Sequence, residues 1–126
     1  MIKIKLSPTP SGLWQVDGLS QIARRSRELE PSNWPEAAQM RFDAVQALLD
    51  KIGDEELSLD WNHAPTRSAM ELLYSAAADQ MAIGEVEMAV ALWESLAALD
   101  EEDHMSVSVM LAFCYVDLED YDCLEE

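Results

Sequence analysis

Apolar residues recur along this chain at two different spacings, and the change from one to the other marks out its elements. Met1 to Leu6 alternates apolar residues with lysine, the period of a strand. It reads either as a short edge strand guarded by its lysines or as a loosely attached arm. Ser7 to Gly12 is rich in Pro, Ser and Gly and reads as a loop. From Asp17 or Ser20 to Leu29 the spacing becomes three and four. Leu19, Ile22, Ala23, Ser26 and Leu29 fall on one side and Arg24, Arg25 and Arg27 largely on the other, which predicts a first helix. Pro31 ends it. Asn33 then offers a cap and Pro35 a first turn for a second helix, which runs to Ile52 and stops at Gly53. Its core stripe is Ala38, Phe42, Val45, Leu48, Leu49 and Ile52, and Trp34 is expected to staple the entry to the helix, with ligand stacking as the lesser alternative.

Asp54 to Pro65 is the least regular stretch. Leu57, Leu59 and Trp61 alternate, so the segment is expected to lie extended across the helices with those three side chains buried. A third helix is expected from Thr66 or Ser68, where Ser68 and Glu71 fit a capping box. Its apolar face is Leu73, Ala76, Ala77 and Ile83, interrupted by Gln80. Gly84 supplies the turn, and Val86, Ala89, Val90, Trp93, Leu96 and Leu99 form the stripe of a fourth helix. A connection this short forces the two into an antiparallel hairpin. Alanines at 76, 77 and 89 let the backbones approach, and Trp93 fills the wider part of the interface.

After Asp103 the pattern begins again. Ala76, Ala77 and Gly84 are followed at an offset of 35 by Leu111, Ala112 and Glu119, and Val86 by Tyr121. A period of that size built on helix–turn–helix units points to a helical repeat array, in which one hairpin buries its second face only by stacking on a neighbour. The segment resembles a tetratricopeptide repeat. The resemblance rests on Ala77 in the first helix, Gly84 at the turn, Ala89 and then Trp93 in the second helix, and the closing Leu99-Asp100. The second copy carries Leu111, Ala112 and Tyr115, then LEDYD at 118–122. It departs from the family at Gln80, where an aromatic is usual, at Leu73, often Trp, and at Glu101, usually a helix-stopping Pro. The second copy also has one extra residue before its match resumes. About one and a half repeats are covered, over residues 70–126.

The resemblance implies an all-α fold of antiparallel hairpins in a superhelix of tetratricopeptide type, with a short N-terminal strand or arm. One domain spans 1–126: an arm at 1–16, helices and the irregular segment at 17–65, and repeats at 66–126, the last incomplete. It further implies a concave trough lined by the first helix of each hairpin. That selects Tyr74, Ala78 and Met81, then Val109, Phe113 and Val116, rimmed by Glu71, Asp79 and Asp117. Such a surface suits a peptide with apolar anchors and basic flanks. The same residues would equally serve as core if N-terminal helices filled the trough. Adaptor-type repeat domains grip terminal carboxylates with Lys and Arg in the trough. This one has neither, so an acidic tail is not an expected ligand. In size, charge and repeat type the chain is also similar to the chaperones of type III secretion translocators, which hold apolar partners. The array lacks a polar closing helix, so Leu111, Cys114, Leu118 and Tyr121 call for a cover. Either a homodimer through the C-terminal helices or a longer chain would supply it.

Charge sharpens this picture. Of 25 acidic and 8 basic residues, residues 68–126 hold 15 acids and no base, leaving the net −17 concentrated there. A field of that sign repels phosphate backbones, so direct nucleic-acid binding is not expected, and it attracts basic partners. The alternative is a protein that mimics nucleic acid and occupies a basic DNA-binding partner. Nothing approaches the apolar length of a membrane span and no signal-peptide core is visible, so a cytoplasmic location is expected.

Candidate chemistry is thin. Asp60-Trp61-Asn62-His63 puts an imidazole beside a carboxylate, the parts of a proton-transfer site, yet a loop His next to a cap-forming Asn is more often structural. His104 among Glu101, Glu102 and Asp103 has weak metal-ligand character, but the run lacks the spacing of a calcium loop and fits a helix N-terminus. Cys114 and Cys123 are expected as buried thiols rather than a disulfide. The reading is a non-catalytic interaction module with no catalytic residue, metal or cofactor.

Overall fold

Punctuation in the sequence sets most element boundaries. In the computed structural model, which describes residues 3–115, the order is β1 (Lys5–Pro8), β2 (Trp14–Asp17), α1 (Ser20–Leu29), α2 (Trp34–Ile52), α3 (Ala64–Ala82) and α4 (Val86–Leu99). The chain is helical again from 107 to 115. Asn33 caps α2 as its side-chain oxygen accepts the Glu36 N–H at 3.3 Å, with Pro35 in the first turn and Gly53 just past the end. Between α3 and α4, Gly84 takes φ +84, a left-handed conformation that L side chains resist. The described residues are mostly helical, with a small two-stranded antiparallel sheet beside the helices.

The mostly helical class holds, and the alternating N-terminus does form a short strand; what the pattern over 1–16 did not show is that this strand has a partner. Lys5 pairs with Asp17 and Pro8 with Trp14, so the alternating N-terminus folds back on a second strand that the apolar pattern did not reveal. Gly18 turns the hairpin into α1 at φ +108. A Cβ there would meet the Lys3 carbonyl oxygen at 2.0 Å, so only glycine fits. Two short strands are marginal alone, and this pair is fastened to the helices. The Val16 N–H donates to Thr66 Oγ1 at 2.8 Å, and the same hydroxyl lies 3.4 Å from the Val16 carbonyl. Trp14 also bridges Leu59 in parallel, through Trp14 N–H to Ser58 O and Asp60 N–H to Trp14 O, both 2.8 Å. Leu59 N–H donates in turn to Leu99 O at the end of α4. The irregular segment runs extended over 55–60 and turns at 61–63 into α3; of the three side chains expected to be buried only Leu59 is, with Leu57 and Trp61 half-buried.

α3 is the central helix, in contact with α1, α2, α4 and β2. Ala69, Met70, Leu72, Leu73, Ala76 and Ala77 are all buried along it, and alanines on several sides allow that many neighbours. Two local expectations fail here. The helix begins at Ala64, earlier than Thr66 or Ser68, with Pro65 in its first turn and no side-chain cap from His63. Thr66 is engaged by β2, and Glu71 forms an ion pair with Arg27 at 3.4 Å, so the Ser68 capping box does not form. Ile83, counted in the apolar face, lies past the helix end and is 57% exposed. The α4 stripe is buried at Ala89, Val90, Trp93, Leu96 and Leu99 and half-buried at Val86.

A polar contact sits inside this apolar stack. Arg41, 3% exposed, and Asp79, 7% exposed, join α2 to α3 as a two-pronged pair: Nε to Oδ2 at 2.7 Å and Nη2 to Oδ1 at 2.9 Å. Glu30, just after α1, approaches the same Nη2 at 3.4 Å. Asp79 is thus a buried partner of Arg41, not part of an acidic rim. Removing one member strands the other charge, so Asp79→Asn is expected to cost about 3–5 kcal/mol in urea unfolding. The paired change Arg41→Met with Asp79→Leu should recover most of that loss, because it removes both desolvation costs together.

Candidate functional site

The six residues singled out for a trough divide into two groups. Tyr74, Ala78 and Met81, at steps of four and three, lie along one face of α3, half-buried against the core. The Tyr74 ring is turned onto Trp93 of α4, centroids 6.1 Å apart and planes at 60°. Trp93 is fully buried, and its indole N–H has no hydrogen-bond acceptor among the described residues. This group packs rather than presents an open surface. Val109 and Phe113 stand 52% and 64% exposed on the outer face of the 107–115 helix. Val116 and Asp117 lie outside the described residues, as do Leu118, Tyr121 and Cys123. Of the expected rim, Glu71 remains at the surface but is paired with Arg27.

The inner face of the 107–115 helix is Val107, Leu111 and Cys114, all buried. Tyr115 ties its far end to α4, its hydroxyl donating to Glu94 Oε1 at 2.8 Å. That bond to a carboxylate holds the phenol in its protonated form and raises its pKa.

The acidic run before this helix is structural in its contacts. Asp103 takes φ +52, and its carboxylate accepts the Val107 N–H at 2.6 Å, the Ser108 N–H at 3.2 Å and the Ser108 hydroxyl. These are the unpaired donors at a helix start, and the bonds, above all that from the Ser108 hydroxyl, lower the Asp103 pKa below its usual 3.8. His104 is held between carboxylates, Nδ1 at 2.6 Å from Asp100 Oδ1 and Nε2 at 3.0 Å from Glu102 Oε2. Its ring stacks on Trp61 at 4.7 Å and 6°, and the Arg67 guanidinium lies 5.1 Å from the centroid of the same indole. Among the described residues no group of three or more His, Cys, Asp or Glu is arranged to hold a metal ion.

The Asp60–His63 cluster disperses. Asp60 accepts from the Gln15 amide at 3.2 Å and the Asn62 N–H at 3.1 Å, while His63 Nε2 lies 3.0 Å from Asp17 Oδ1. Asp60 and His63 each hold a different residue of β2, so the sequence neighbours do not converge into a proton relay.

Among the described residues five helices and one strand pair thus carry a surface with an exposed Val–Phe pair on the last helix and internally satisfied polar clusters elsewhere. Compared with protein-family models, curated proteins and solved structures, the chain matches none of them. Among the described residues no helix is long and apolar enough to cross a membrane.

The Asp103 cap gives a direct test. A carboxyl whose pKa is lowered on folding stabilises the fold fully above about 3.8 and loses that contribution as pH falls through the folded value. Asp103→Ala is expected to speed amide exchange over 107–115 at neutral pH by an amount corresponding to about 1 kcal/mol. Wild type and variant should converge as pH drops well below 3.8.

Proposed function

We propose that this protein is a non-catalytic interaction module that binds a protein or peptide through apolar anchors flanked by basic residues. The carrying observation is the exposed pair Val109 and Phe113, one helical turn apart in a chain whose residues 68–126 include no lysine or arginine. A phenyl ring left in water forgoes about 1.5–3 kcal/mol of burial, which a partner can supply.

On this reading α3, α4 and the following helix are tetratricopeptide-like units. Burial recurring in part at the sequence period supports it: Leu72, Ala76 and Asp79 are buried, and so, 35 residues on, are Val107, Leu111 and Cys114, whereas Leu73 and Ala77 are buried where Ser108 and Ala112 are exposed. At the same offset Tyr74 and Ala78 are half-buried whereas Val109 and Phe113 are exposed, so the face that packs on α3 is open on the later helix. Phe113 and Val109 supply the anchors, and unpaired acids attract the partner's basic flanks.

The test is capture of a partner from the native cell, identification by mass spectrometry, and titration against Phe113→Asp. Affinity is expected to fall at least about tenfold, with the helical signal unchanged. Undiminished binding together with a steep salt dependence would replace this reading with nucleic-acid mimicry.

A further inference from the structure

A second surface has the make-up of a docking site and lies apart from the Val109–Phe113 pair. Trp34, Ala38 and Phe42 stand at i, i+4 and i+8 on α2, so they share one face over roughly 12 Å of helix. Opposite them are Asp79, Gln80 and Ile83 at the end of α3. These residues, with Pro35 and Gln39, enclose an open slot of about 340 Å3. Its profile along α2 is large, small, large: two aromatic rings with a dent over Ala38.

Three observations say that the slot is not simply core. Trp93 is buried and Trp14, Trp61 and Phe42 pack against the core, whereas Trp34 and Ala38 are not among the side chains packed there. Asn33 is the residue that caps α2, so Trp34 is the first helical residue, and its half-buried ring lines the slot. Ile83, on the facing wall, is 57% exposed although it is one of the most apolar residue types.

Charge identifies the occupant. Glu36 and Asp43 stand one helical turn to either side of the slot-lining Gln39 on α2, where they accept from the Asn33 and Gln39 amides. Glu85 and Glu87 follow Ile83 into α4, and all four acids are exposed. No basic side chain lines it, and Arg41, the nearest on α2, is buried and paired with Asp79. A second copy of this chain, at net −17, would bring like charge to an acidic rim. We infer that the α2–α3 slot is a docking site for an amphipathic helix of a partner, which seats an apolar side chain over Ala38 and sets lysine or arginine against Glu36, Asp43, Glu85 and Glu87. The row of residues four apart on α2 is the groove geometry into which a second helix packs its own row.

The probe is a fluorescein-labelled synthetic helix with leucines four residues apart and a lysine on each side, titrated against the full chain. A second peptide carries glutamate in place of each lysine. The lysine peptide should bind at least about tenfold tighter than the glutamate one. Ala38→Leu, which fills the dent with a good helix former, and Ile83→Asp should each weaken it at least about tenfold, and Phe113→Asp by less than about twofold. In a 15N spectrum the Trp34 indole, assigned through Trp34→Phe, should shift on binding. Four results would overturn the inference: no binding of the lysine peptide; equal binding of both peptides; loss in Phe113→Asp with binding retained in Ala38→Leu; or a dimer in sedimentation that Ile83→Asp dissolves. Only the proposed function, not this site, is at stake if a captured partner ignores Phe113→Asp.

Discussion

The ion pair between Arg41 and Asp79 is the constraint on which the arrangement of helices depends. Two charges taken out of water cost several kcal/mol each, and the pair survives only because the guanidinium fork meets the carboxylate on two bonds at 2.7 and 2.9 Å. Such geometry tolerates no sliding. A shift of α3 against α2 by one residue would rotate the carboxylate by about 100° and leave both charges stranded. Apolar side chains along the same contact, many of them alanines, would accept several registers. The pair selects one. Through Glu30 it also places the end of α1 against the same contact.

The other end of α3 is fixed by different means. Thr66 receives the backbone of β2, His63 reaches Asp17, and Asp60 holds Gln15. A two-stranded hairpin too small to stand alone becomes a clamp on the helix start. With both ends held, α3 is the reference on which α4 packs, and α4 in turn carries the 107–115 helix. That last helix is attached by its own cap at Asp103, by Val107, Leu111 and Cys114 inward, and by Tyr115 to Glu94.

How much of this could be read from sequence follows from the range of each interaction. Asn33, Pro35, Gly53 and Gly84 act within a few residues, so the helices they bound were legible. Thr66 carried no such signal, because its partner is Val16, 50 positions away, and that tertiary demand displaced the local capping box at Ser68. β2 was hidden for the same reason: four residues, WQVD, have no periodicity to speak of until β1 and Leu59 lie beside them. The buried pair did leave a trace. Arg41 falls in phase with Ala37, Ala44, Val45 and Leu48, and Asp79 in phase with Leu72 and Ala76. Opposite charges at apolar-stripe positions of neighbouring helices are the sign of a buried bridge, but a pattern read one helix at a time does not join them. Within the trough, spacing identified a shared face on each helix. It could not tell that Tyr74 would be taken up by Trp93 while Phe113 stayed in water.

Charge segregation along the chain is also not segregation in space. Arg27 and Arg41 from the N-terminal part, which holds all the basic residues, neutralise Glu71 and Asp79 from the acidic remainder. Asp100 and Glu102 hold His104, and Asp103 caps a helix. What remains unpaired in the described part of that remainder is a smaller set, Glu85, Glu87 and Glu101, and two of these border Ile83. Exposed Phe, Val and Ile on a neutral body would favour self-association. Acids placed beside them penalise contact with another copy, where like charges meet, and leave contact with a basic partner favourable. The surplus of carboxylates therefore need not be the ligand-recognising feature in its own right. Its physical effect is to make apolar surface selective, and that effect acts most strongly where free carboxylates and uncovered apolar side chains are neighbours.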